Sequence, residues 1–180
     1  MPAIQPARLT AQTVELTEHF DSPKKFVAAL HDLLDFYAAR TLRPGQVFES
    51  APLLNSYQVS KPVLRNIERA LAGRVDADPE AALALADELW HQRWVETRLL
   101  AILILGRIPP TPPERVTERA QAWGLECRED KIVKALASTG IARLRSENRD
   151  AFIALLGNWM TSSDRRLMML GLRALPAHLE

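Results

Sequence analysis

The chain has 180 residues, 47% of them apolar and 6% aromatic, with a net charge of +1. That length can bury a substantial core as one domain, and a near-neutral total gives no sign of an anionic partner by itself. Cys127 is the single cysteine, which excludes an intrachain disulfide and a cysteine-based metal cluster.

The longest fully apolar run, Leu99 to Leu105, holds seven residues. A bilayer takes roughly 20, so no membrane span is expected. The first residues, "MPAIQPARLTAQ", lack the apolar region of a signal peptide. A cytoplasmic location is the expectation.

In chain order, a short helix is expected from Ala11 to Glu18. A longer one follows in "DSPKKFVAALHDLLDFYAART", with Ser22 as N-cap and Pro23 in the first turn. There Phe26, Leu30, Leu33, Leu34 and Tyr37 recur at helical spacing. "LRPGQVFESAPLLNSYQV" reads as a loop with a turn at Pro44-Gly45. From Ser60 the spacing predicts a helix carrying Leu64, Ile67 and Leu71 on one face, closed by Gly73. Asp78 and Pro79 then start "DADPEAALALADELW", and "RWVETRLLAILILGRI" is the next helix. "TPPERVTERAQAWG" begins with a cap and proline, and "REDKIVKALASTG" is a helix ended by Gly140. "NRDAFIALLGNWM" and "SSDRRLMMLGLRAL" form a last pair, parted by a turn at Thr161 to Ser163.

Alternate helix starts near Asp78, Thr111 and Asn148 lie 33 and 37 residues apart. That period predicts an all-α chain of HEAT-like type, a superhelical α-solenoid of antiparallel helix pairs. We read residues 1–180 as one domain. Residues 1–58 form an N-terminal helical cap and loop, and 59–180 form the repeats. The helix at 93–105 is apolar all round, so it is expected to be covered on every side.

Charge is uneven along the chain. Residues 1–90 carry a net −3, residues 91–130 balance, and residues 131–180 carry +4. A basic third of this kind fits an anionic partner and equally a solvated helix face. The four histidines lack metal-ligand spacing, and the chain has no Walker motif, dinucleotide loop, HExxH or CxxC. Neither a cofactor nor a metal is expected.

Two blocks, "YQVSKPVLRNIERAL" and "ALADELWHQRWVETRLLAILIL", carry a resemblance. Val59, Pro62, Leu64 and Arg65, then Leu89-Trp90, Glu96 and Arg98, stand in the order and spacing of the DNA alkylation repair proteins of the AlkD-like, HEAT-like-repeat superfamily. "NWMTSSDRRLMML" is similar to a later Trp-containing helix end of that family. The resemblance implies a solenoid that wraps duplex DNA. In glycosylase members it implies an Asp beside aromatic rings, assisting loss of N3- or N7-alkylated purines. A carboxylate and π faces suit that chemistry because the departing base leaves a cationic sugar.

The chain departs from the family's active-site segment, a Trp followed four residues later by Asp. The matching stretch, "CREDKIVKALASTG", has no Trp, and its carboxylates are Glu129 and Asp130. Counting back from Trp159 puts Ile132 or Lys134 where the Asp belongs, and the family's supporting Arg falls near Met169. Asp130 and Glu129 are therefore the catalytic candidates, with helix capping as the competing role.

Lys131, Lys134, Arg143, Arg145, Arg149, Arg165 and Arg166 are the candidate phosphate ligands, with "ARLRSENR" read as a loop. Trp94 and Trp123 are the candidate base-facing aromatics, while Trp90 and Trp159 suit packing. Glu96 and Arg98 either face DNA or serve the helix dipole and a neighbouring helix. The expected function is DNA binding in alkylation repair, with or without glycosylase activity. The alternative is a non-catalytic HEAT module for protein partners.

Overall fold

A computed structural model describes residues 5–38 and 54–175. The expected turn at Pro44-Gly45 lies outside them. The described residues are helical apart from connecting segments and one isolated parallel bridge between Asn55 and Trp94. None of these helices is long and apolar enough to cross a membrane.

The chain falls into two compact units, Met1–Ala101 and Ile102–Glu180. In the first, α1 (Pro6–Thr17) packs on α2 (Pro23–Tyr37) and α3 (Lys61–Ala77). α4 (Pro79–His91) packs on α2 and α3. α1 starts at Pro6, earlier than the expected Ala11, because a proline at the first position supplies helical φ without losing a needed donor. The core of this unit is Phe20, Phe26, Leu30, Leu34, Ile67, Leu85 and Leu89.

Gly73 does not close α3. The buried stripe Val63, Ile67, Leu71 and Val75 runs through it, and burial of Val75 carries the helix on to Ala77. Asp78 ends that helix and caps the next, accepting a 3.0 Å bond from the Ala81 N–H. Ser22 and Ser60 occupy N-cap positions without a side-chain cap bond.

α5 (Val95–Leu105) crosses from the first unit into the second. Leu100, Ala101, Ile102, Ile104 and Leu105 are buried, whereas Leu99 and Leu103 are half-buried. The expectation of cover on every side is thus corrected. Residues four apart share a helix face, and this face stays partly open.

The second unit continues with α6 (Glu114–Glu126), α7 (Asp130–Ala135), a π-helical turn (Leu136–Gly140), α8 (Ala142–Glu147), α9 (Arg149–Met160) and α10 (Arg165–Ala174). α10 packs on α9, α6, α7 and the π turn. α6 starts after Pro112-Pro113 with Pro113 in the cap position, so Thr111 is not its cap. Asn148 and Asp164 are working caps, accepting from the N–H of Ala151 (3.2 Å) and of Arg166 (2.8 Å).

Gly140 is not a clean stop. The chain passes through the π turn and Ile141 directly into α8 because Leu136, Ala137, Ile141 and Leu144 are all buried. Arg143 and Arg145 therefore lie on a helix, where a loop was expected.

Candidate nucleic-acid interface

The motif block of the first unit builds a turn rather than an open site. Glu96 is buried at the start of α5. Its carboxylate accepts from the Ser56 hydroxyl at 2.8 Å, the Tyr57 N–H at 3.2 Å and the Gln58 N–H at 3.0 Å. Gln58 has φ of 54°, a conformation costly for a residue with a Cβ. The three bonds to Glu96 hold it there. Asn55 adds two backbone bonds of 2.9 Å, to Arg93 and Val95.

Tyr57 stacks on Trp94 at 3.9 Å and 14°, and the Tyr57 hydroxyl lies 2.7 Å from His31 Nδ1. Burial, with the nearby Asp35, Glu96 and Asp32 carboxylates, raises the Tyr57 pKa. Trp94 is half-buried, and the stack covers one of its faces. Arg98 lies 4.6 Å over the ring of Trp90, a cation–π contact, and its Nε donates to the Gln92 carbonyl at 3.4 Å. Glu96 and Arg98 therefore both have intramolecular work.

Glu96→Ala removes all three of these bonds and releases the turn. Stability measured in urea is expected to fall by about 2–3 kcal/mol, with duplex affinity unchanged. Unchanged stability with lost DNA binding would instead put Glu96 at the nucleic acid.

The second unit holds a cleft of about 700 Å³ lined by Gly124, Cys127, Arg128, Asp130, Val133, Arg165, Arg166, Met169 and Arg173. Helical spacing explains the α10 side, since residues 165, 169 and 173 recur every four positions on one face. The bare Cα of Gly124 lets α10 approach α6, because a Cβ there would meet Leu170 at 2.7 Å. Four guanidinium groups thus surround one cleft with a single carboxylate, Asp130, in its wall.

Asp130 stands at the first position of α7, and its carboxylate does not cap the helix. It bonds Lys134 at 2.7 Å and pairs with Arg173. These bonds, that to Lys134 first, hold its pKa below the usual carboxylate range. Glu129 occupies the N-cap position without a side-chain cap bond. Asp164, at the start of α10, pairs with Arg166 at 2.6 Å, which lowers its pKa to about 2 and raises that of Arg166. For Arg128 and Arg165, no ion pair occurs among the described residues.

Of the seven basic candidates, Arg165 and Arg166 line the cleft, and Lys134 joins it through Asp130. Lys131 and Arg149 are exposed elsewhere on α7 and α9. Arg143 donates to the Arg107 carbonyl at 2.6 Å and to Glu147 at 2.8 Å, so it ties segments of the unit together. Arg145 reaches the Ser138 carbonyl at 3.5 Å. Trp123 is 4% exposed, and a ring so placed offers no face to a base. It shares the buried side of α6 with Val116, Ala120 and Gly124.

Arg128 and Arg173 were missed by the sequence reading. The four-residue step from Met169 to Arg173 was a usable signal for the second. None of the cleft-lining residues is aromatic, and no group of three or more metal-ligating side chains is assembled among the described residues.

No curated protein and no solved structure matches the chain. The family of DNA alkylation repair enzymes does match, over residues 54–174, about two thirds of the sequence. That span takes in both the Glu96 turn and the arginine cleft, and on it the chain belongs to the DNA alkylation repair enzyme family.

Proposed function

We propose that the chain is a DNA-binding member of this family that grips the sugar–phosphate backbone in the cleft of its second unit. The observation that carries this reading is the ratio of four arginines to one carboxylate around one open cleft. Guanidinium groups give charge-assisted, bidentate contacts to phosphate oxygens and carry no sequence information. The absence of an aromatic ring from the cleft wall fits backbone contact better than base stacking. The regular starts of α4, α6 and α9 at residues 79, 114 and 149 support HEAT-like pairs over residues 59–180 as part of the same reading.

Excision of alkylated purines is slow under this reading. Asp130 is the one carboxylate in the cleft, and its charge is shared with Lys134 and Arg173. So engaged, and without a π face beside it, it stabilises a cationic sugar weakly.

The test pairs duplex binding with base release from N7-methylated DNA. Plain and methylated duplexes are expected to bind alike, with affinity falling steeply between about 50 and 200 mM salt. Free base should appear little faster than it does spontaneously. Rapid release that persists in Asp130→Asn would show that the reacting carboxylate lies elsewhere.

One observation favours a protein-interaction module as a second reading. Met168 and Leu172 on α10, and Leu175 just after it, are exposed at one-turn spacing. No duplex binding even at about 50 mM salt would select that reading.

A further inference from the structure

We infer that Asp130 is the resident anion of the cleft. It occupies the place on Arg173 and Lys134 that a DNA phosphodiester takes, and DNA binding displaces it. This rests on the DNA-backbone reading of the cleft and adds what sets its affinity.

The contacts point this way. Asp130 bridges two cations from two helices, Lys134 one turn along α7 and Arg173 on α10. A phosphate oxygen pair bridges cations in the same manner. The side chains of Asp130 and Lys134 are 58% and 68% exposed, so both can rearrange. Arg173 is 30% exposed and is the fixed member. Its Nη1 is shielded and has no hydrogen-bond partner among the described residues, so Asp130 does not fill the guanidinium's donor capacity.

Asp164 offers the contrast. It also pairs with an arginine of the cleft, but its carboxylate caps α10 through the Arg166 N–H, which anchors it. Among the described residues Asp130 is held by side-chain ion pairs to Lys134 and Arg173, which contribute little and exchange readily. A carboxylate in this position opposes DNA twice. It competes for Arg173 and Lys134, and it repels an incoming phosphate. Once displaced, it is left uncommitted beside the backbone.

The experiment measures affinity for an unmodified 20-base-pair duplex at fixed low salt by fluorescence anisotropy. Asp130→Asn is expected to bind about 3- to 10-fold more tightly than the unaltered chain. Asp130→Ser should act in the same direction. Asp150→Asn removes the same charge from the exposed first turn of α9, outside the cleft, and should change affinity less than about 2-fold.

In an Arg173→Gln background the gain from Asp130→Asn should shrink, because one of its two contested partners is gone, and an undiminished gain overturns the inference. Unchanged or weaker binding by both Asp130 variants overturns the inference while leaving the DNA reading intact. An equal gain from Asp150→Asn overturns it too, since the effect is then general charge. Failure of the unaltered chain to bind any duplex overturns the DNA reading, and the inference with it.

Discussion

Reversing the charge at Arg165 and Arg166 together is expected to weaken duplex binding about a hundredfold at low salt. Each residue lines the cleft and is exposed at the start of α10. An exposed charge-assisted phosphate contact, discounted for solvent screening, is worth about one decade in affinity at low salt. Two such contacts amount to about two decades in affinity. The loss should be the same for every sequence, and the dependence of affinity on salt should flatten by roughly one unit for each phosphate contact removed. Anisotropy titrations at several salt concentrations measure both. A loss confined to some sequences would mean that α10 reads bases. The arginines do not contribute equally, because Arg166 is shared with Asp164 while Arg165 has no ion pair among the described residues. Arg165→Glu alone is therefore the more damaging single change.

The second large effect is on stability. Gly106 follows α5, and a Cβ there would lie 2.0 Å from the Thr139 carbonyl oxygen in the π turn. That contact is impossible, and the obstacle is backbone rather than a flexible side-chain end. Gly106→Ala must therefore push the π turn away or break the end of α5. Overpacking of side chains costs about 1–3 kcal/mol, and this backbone collision should cost about 3 kcal/mol or more. For a chain of this size that lowers the melting temperature by roughly 6–12 °C. The π turn continues α7, so the disturbance reaches the helix that carries Asp130 and Lys134. A melting temperature within about 1 °C of the unaltered chain would contradict the close approach.

Local chemistry made much of the helical layout legible. Asp78 before Pro79, Asn148 before Arg149 and Asp164 before Arg165 each combine a capping side chain with the start of an apolar pattern, and each caps the helix it announces. Glycine was the poorer guide. Gly73 has open space around its missing Cβ, and the buried stripe ending in Val75 carries α3 straight through. Gly140 was read as a stop because its role is tertiary. Its missing Cβ makes room for Leu136 and Ile102.

The candidate interface was legible in part for the same reason. Arg165 and Arg166 stood out as a pair in a basic third of the chain. Arg128 and Arg173 are 45 positions apart, and only the packing of α10 on α6 and α7 brings them to one cleft. Asp130 is one of two carboxylates near the expected segment, and its bond to Arg173 cannot be read from spacing. Trp123 was misjudged because an aromatic residue near a helix end can point either way. The small residues Ala120 and Gly124 beside it mark the packed side of α6.

The central claim is that the arginine cleft is where DNA sits, and the most direct measurement is a titration of the labelled protein with unmodified duplex, followed by NMR. The Arg128, Arg165, Arg166 and Arg173 Nε–H signals and the backbone amides at 128–134 and 164–173 are expected to shift. The indole signal of the buried Trp123 should stay unmoved. Shifts confined to Tyr57, Trp94 and their neighbours, with the four arginine signals unchanged, would contradict it.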